Sequence, residues 1–168
     1  MGLALWALLI APSAAHAWTE AAVRSVRAEI VLDREASARV TLVATVRVHG
    51  GWLEGLELSG LDPDLQLDEA AEPWAVDADG ERYEPRVRVV RDGRVQISFP
   101  GPSPRRGQVW IGLVYRTSLA HRATEPLEGE DRVRVRWTLP GFRSGLDGVQ
   151  IEVLAPPGTR LGPADPEE

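Results

Sequence analysis

Three histidines, His16, His49 and His121, carry the only side chains here that titrate near neutral pH without help from their surroundings. His49 closes an alternating run just before Gly50-Gly51, and His121 sits in a polar stretch between Ala120 and Arg122. Neither has a second ligand at the short spacing a metal site uses, nor a nearby acid to orient it for proton transfer. Both read as surface histidines. Ser25, Ser37, Ser59, Ser98, Ser103, Ser118 and Ser144 are scattered, and no Gly-x-Ser-x-Gly elbow frames any of them. There is no cysteine and no lysine, which removes thiolate nucleophiles, disulfides, sulfur-bound metals and Schiff bases. The sequence therefore predicts neither an enzyme nor a cofactor.

Three other groupings could bind rather than react. Between residues 62 and 81 lie Asp62, Asp64, Asp68, Glu69, Glu72, Asp77, Asp79 and Glu81, hard oxygen ligands suited to Ca²⁺. Asp77-x-Asp79-Gly80 lacks the further ligand positions of a calcium loop, and a hairpin turn at Asp79-Gly80 accounts for the flanking alternation, so no metal is expected. Arg132, Arg134 and Arg136 share one face of a strand, as do Arg86 and Arg88 on another. If those strands are neighbours, five guanidiniums form a surface for a carboxylated or phosphorylated polymer; otherwise they are solvated faces paired with cross-strand carboxylates. Trp52 and Trp74 lie near turns and are the tryptophans expected to be exposed, where an indole can stack on a sugar. Trp110 or Trp137 is expected to fill the core.

The formal charge is −6, and all 19 basic residues are arginine. An acidic chain is poorly suited to nucleic acid, whose phosphates need a basic surface. A hydrophobic content of 43% against 26% charged residues is that of a folded domain rather than a disordered segment.

Period-two alternation must position these side chains. Val26, Ala28, Ile30 and Leu32 alternate with polar residues, then Val40, Leu42, Ala44, Val46 and Val48 do the same, joined by the polar turn 33–37. Asp92-Gly93 separates Val87 and Val89 from Val95, Ile97 and Phe99, a strong hairpin signal repeated at Asp79-Gly80. Further strands are read at Val109 to Tyr115, at Val133 to Leu139 and at Val149 to Val153, and a short helical turn is allowed between 119 and 130. Many short strands with Gly- and Pro-rich turns predict an all-β fold, an antiparallel β-sandwich that is immunoglobulin-like in the broad sense, with a closed barrel as the alternative.

Residues 1–17 (MGLALWALLIAPSAAHA) pair an apolar run with a small-residue ending, the pattern of a cleavable signal peptide. The run is shorter than the about 20 residues a membrane span needs. The expected mature chain begins at Trp18, with a β-sandwich over 18–161 and a flexible acidic tail or linker start over 162–168. Such a chain is expected in the periplasm or outside the cell.

Residues 30–33 (IVLD) leading into 40–48, then 107–116 (GQVWIGLVYR), 134–137 (RVRW) and 149–157 (VQIEVLAPP) resemble the exported N-terminal domain of an uncharacterised family of bacterial predicted membrane proteins. The resemblance covers most of the mature chain and implies a signal peptide, a β-sandwich and membrane helices after it; it implies no reaction. This sequence departs from it in having no such helices, so membrane association is expected only through a downstream helix. The function expected on these grounds is a non-enzymatic module for protein interaction or scaffolding in the bacterial envelope. The alternative is a module binding carbohydrate or anionic polymer through the Arg faces with Trp52 and Trp74. Its partner would be an envelope protein or a polysaccharide.

Overall fold

A computed structural model of the chain describes residues 19–91, 93–120, 124–126, 133–135, 137, 139 and 146–159. Among them are twelve strands and no helix: β1 (Glu20–Leu32), β2 (Ser37–His49), β3 (Gly55–Leu58), β4 (Gln66–Leu67), β5 (Trp74–Asp77), β6 (Arg82–Tyr83), β7 (Arg86–Val89), β8 (Val95–Ser98), β9 (Gly107–Ser118), β10 (Thr124–Pro126), β11 (Val133–Val135) and β12 (Gly148–Leu154).

The alternating runs become the long strands because each offers one apolar row to bury and one polar row to hydrate. β1, β2 and β9 lie side by side and antiparallel, and all register through their apolar rows: Ala28 opposes Leu42, and Leu42 opposes Leu113. β5 extends the sheet beyond β9, with Ala75 opposite Ile111, and β6 closes that edge. The large sheet runs in the order β12-β1-β2-β9-β5-β6, with β4 also on β9. A smaller sheet, β3-β8-β7, supplies the second layer. Val26, Ile30, Val40, Leu42, Val46, Val109 and Leu113 from the first layer join Leu58, Val95 and Ile97 from the second in one core, all but fully shielded from water. The fold is an all-β sandwich.

The expected hairpins form. Between β1 and β2 the Asp33 N–H donates to the Ser37 carbonyl at 3.0 Å, and the Asp33 carboxylate accepts from the Glu35 and Ser37 N–H groups. β5 turns into β6 through Asp79-Gly80, and β7 into β8 through 90–94, where the Val90 N–H donates to the Arg94 carbonyl. Gly93 has φ +67° and its carbonyl accepts from the Leu61 N–H at 2.9 Å. A Cβ there would collide with the Leu61 carbonyl oxygen, so only glycine lets the two turns close on each other.

Three features differ from expectation. β12 runs parallel to β1, from Ser25 opposite Gly148 to Val31 opposite Leu154, so one edge of an otherwise antiparallel sheet is parallel. The large central aromatic is Tyr115, fully buried; Trp110 has the opposite parity on β9 and is half-buried on the outer face, while Trp137 is half-buried against the rim of the core. Where a helical turn was allowed, 124–126 is a strand paired with β11. The expected leader 1–17, the expected tail 162–168 and His121 lie outside the described residues.

On the outer face, Arg39 of β2 stands directly opposite Arg116 of β9, a like-charge pair that would repel. Asp68, just past β4, neutralises both: its Oδ2 lies 2.8 Å from Arg39 Nε and 3.7 Å from Arg116 Nε. The hydrogen bond from Arg39, together with that from the Ala70 N–H, holds the Asp68 carboxyl below its ordinary value.

Candidate functional site

Among the described residues, the candidate binding groups fall in separate parts of the fold. Arg86 and Arg88 project outward from β7, the edge of the small sheet, with Ser98 and Gln96 of β8 across from them. Arg134 lies in β11, opposite Glu125 of β10 in a separate two-stranded ribbon, and Arg132 and Arg136 lie outside the described residues. Among the described residues β7 and β11 lie in different sheets, so strand pairing does not set Arg134 beside Arg86 and Arg88. Trp74 is exposed on the outer face of the large sheet, its ring seated over Gly112, where a Cβ would strike it. Trp52 is exposed elsewhere, at the end of the sandwich where β2 finishes and β9 begins.

Around Trp52 three connections converge. Residues 50–54 leave β2, 100–106 lead into β9, and 78–81 join β5 to β6. Backbone bonds lock them together: the Leu53 N–H donates to the Pro104 carbonyl at 2.8 Å, the Phe99 N–H to the Glu54 carbonyl at 3.0 Å, and the Ala78 N–H to the Gln108 carbonyl at 3.1 Å. Two adjoining hollows of about 350 and 410 Å³ result, both lined by Trp52, Arg105 and Arg106. The Arg105 guanidinium carbon sits 3.8 Å from the centre of the Trp52 ring system, a cation–π stack. Asp77, Asp79, Glu81, Tyr83, Pro102 and Ser103 complete the second hollow.

The wall of that hollow is stiff. Asp77 Oδ1 accepts from the Asp79 and Glu81 N–H groups at 3.0 and 2.9 Å, and its Oδ2 accepts from the Tyr83 hydroxyl at 2.8 Å. Desolvation works against the Asp77 charge, but these bonds outweigh it and hold its carboxyl below the ordinary range. Desolvation and the same bond to Asp77 push the Tyr83 hydroxyl up, so it stays protonated and donating. Tyr83 is also braced edge-to-face by Phe99, at 6.5 Å between ring centres. His49 is exposed and lines neither hollow. Among the described residues no cluster of three or more His, Asp or Glu could hold a metal ion.

The opposite edge of the large sheet is different in kind. Among the described strands β12 pairs only with β1, and none of them lies on its other side. Val149 and Ile151, in register with Val26 and Ala28, are 48% and 47% exposed, as is Leu154 at 47%. Glu152 is the only charge in the seven residues, and no proline or bulge blunts them.

No protein-family model and no curated protein matches the sequence. Among solved structures the chain is similar to an M1 zinc metallopeptidase from Deinococcus radiodurans. The likeness is at 17% identity with TM-score 0.41, over 58% of this chain and 20% of that one. A mutant of that enzyme bound to a Tyr-Ser-Ala substrate gives 17% identity and TM-score 0.42, over 63% and 22%. The chain thus spans about a fifth of the length of these enzymes.

Sequence reasoning singled out Trp52 but missed its companions. Arg105 and Arg106 stand in a Pro- and Gly-rich connection, 100–107, that reads only as punctuation. Their adjacency was the available signal; what brings them to Trp52 is the pairing of β2 with β9, a contact between distant parts of the chain.

Proposed function

We propose that this chain is a non-enzymatic, exported interaction module of the bacterial envelope that takes an extended partner segment as an added strand on β12. The supporting observation is the open β12 edge. Folded proteins ordinarily protect such an edge with charge, proline or a bulge, because its free N–H and C=O groups recruit other chains. Here seven residues with a single charge leave Val149, Ile151 and Leu154 exposed. A partner strand would gain main-chain hydrogen bonds from the edge and specificity from apolar residues at every second position. The leader-like residues 1–17 support export, with the mature chain starting at Trp18.

The test uses the full chain produced with its own leader in a bacterial host. The expected periplasmic product begins at Trp18 by mass spectrometry; a cytoplasmic product retaining Met1 overturns export. Peptides selected from a random display library on the purified protein are expected to shift the backbone amide resonances of 148–154. The double variant Val149→Lys, Ile151→Lys, which restores the missing charge without touching buried side chains, should weaken those peptides at least about tenfold, roughly 1.4 kcal/mol. Peptides that bind both proteins equally, or whose shifts map elsewhere, refute strand addition. Concentration-dependent dimers lost in the same variant would identify a second copy of the chain as the occupant and refute the partner-segment reading.

A further inference from the structure

The β12 edge leaves the far end of the molecule unused, and there we infer a binding site for a neutral sugar chain in the two hollows around Trp52. The argument is independent of strand addition, since β12 and the β5–β6 hairpin stand at opposite edges of the large sheet.

The site offers three things at once. Trp52 is 47% exposed in a concave setting: Arg105 stacks on its ring, and the rest of this large flat apolar group is left open to solvent. An indole of this kind gains most from a ligand with a flat face of C–H groups. Arg105 and Arg106 supply forked N–H donors, and none of the hydrogen bonds or ion pairs among the described residues engages either. Asp79 and Glu81 supply carboxylate acceptors across the second hollow, and neither is spent in an ion pair among the described residues. A ligand that matches all three must present a flat apolar face, hydroxyl donors for the carboxylates and oxygen acceptors for the guanidiniums. A pyranose ring carries that combination.

Charge decides between a neutral and an acidic sugar. Arg105 and Arg106 face Asp77, Asp79 and Glu81, so the positive groups are matched by negative ones within the same lining, and the chain as a whole is at −6. No net positive field draws in a polyanion. The sequence reading placed a polymer site on the strand-face arginines with Trp52 and Trp74. The hollows centre it instead on Trp52 with Arg105 and Arg106, and of the two ligand classes expected there, carbohydrate or anionic polymer, the balanced lining favours the uncharged one.

The lining is also preorganised. The bonds from Leu53 to Pro104, from Ala78 to Gln108 and from Tyr83 to Asp77 fix all three connections before any ligand arrives. Little ordering remains to be done on binding, which favours recognition of a flexible chain by a small surface.

The experiment is a titration of the full-length protein with soluble neutral oligosaccharides of glucose and of N-acetylglucosamine, and with oligogalacturonate as the acidic counterpart. Calorimetry and tryptophan fluorescence report binding. The expected result is saturable binding of at least one neutral series, little affected by added salt. Trp52→Ala should weaken it at least about tenfold, and Arg106→Ala by a smaller factor. Trp52 and Arg106 are both exposed, so each variant should keep the parent's far-ultraviolet circular dichroism; if one does not, the other still decides the question. Tighter, salt-sensitive binding of oligogalacturonate overturns the neutral assignment. Absence of saturable binding in every neutral series, or binding unchanged in both variants, overturns the site. Loss of peptide binding in the β12 double variant leaves this titration unaltered, so the two readings fail separately.

Discussion

Asp62, Tyr115 and Trp137 bring three buried polar atoms together without completing their bonding. The Asp62 Oδ2, the Tyr115 hydroxyl and the Trp137 Nε1 neighbour one another, yet none has a well-formed hydrogen bond. Desolvation pushes the Asp62 carboxyl above its ordinary 3.8, with nearby Asp64 adding to the rise and the approach of Trp137 and Tyr115 offsetting part of it. Burial likewise pushes the Tyr115 hydroxyl up, so it stays neutral through the physiological range. For Asp62 the sign of the linkage follows directly. A carboxyl whose value is raised on folding stabilises the fold fully below 3.8, and that contribution is lost as the pH rises through the folded value. Asp62→Asn should therefore raise the unfolding midpoint at neutral pH, and the gain should close in acid. Asp62 is only half-buried, so screening keeps the gain to no more than about 1 kcal/mol. Denaturant unfolding of both proteins across the acid limb checks it, and a variant less stable at neutral pH would refute it. None of this trio was legible as a group in the sequence. Tyr115 was read as one residue of a strand, Asp62 as one of an acidic stretch and Trp137 as a core residue. Their meeting depends on side chains that are distant along the chain, whereas local alternation reports only which way each points.

At the level of elements the sequence carried much more. The rows Val26-Ala28-Ile30, Val40 to Val48 and Val109 to Tyr115 are buried as their alternation requires, because a half-buried strand must sort its side chains by parity. The turns at 33–37, Asp79-Gly80 and 90–94 were equally plain, since their chemistry is local. What alternation could not supply was direction and neighbours: that β12 would run parallel to β1, or that Arg39 and Arg116 would meet and need Asp68 between them. Trp110 has the parity of the outer face, opposite to Val109 and Ile111, and the central position its size would suit belongs to Tyr115. The turn at Gly93 also carries a prediction. Gly93→Ala should destabilise the protein by at least about 1 kcal/mol, because φ +67° is unfavourable for alanine and its Cβ would displace the Leu61 carbonyl. Gly101→Ala, which would meet nothing within 4 Å, is the control expected to change little. Equal stability of the two variants by thermal unfolding would refute the account.

Over the whole molecule, the two proposed surfaces sit apart: an open strand at one edge of the large sheet and a polar, aromatic hollow near the other. The parallel pairing of β12 with β1 also settles how the sandwich carries load. Glu20 begins β1 at one end of the sheet, while Leu154 ends β12 beside Val31 at the other, roughly 35 Å away at the usual rise per strand residue. Tension applied between those two points would drag the strands lengthwise past each other, straining the rungs from Ser25–Gly148 to Val31–Leu154 together rather than unzipping them in turn. Stretching single molecules from residues 20 and 154 should therefore demand a markedly higher rupture force than stretching across the β1–β2 hairpin from 20 and 49, where the rungs open one after another. Held between residues 20 and 154, the sandwich would thus behave as a stiff tie whose strength lies in the seam between β1 and β12.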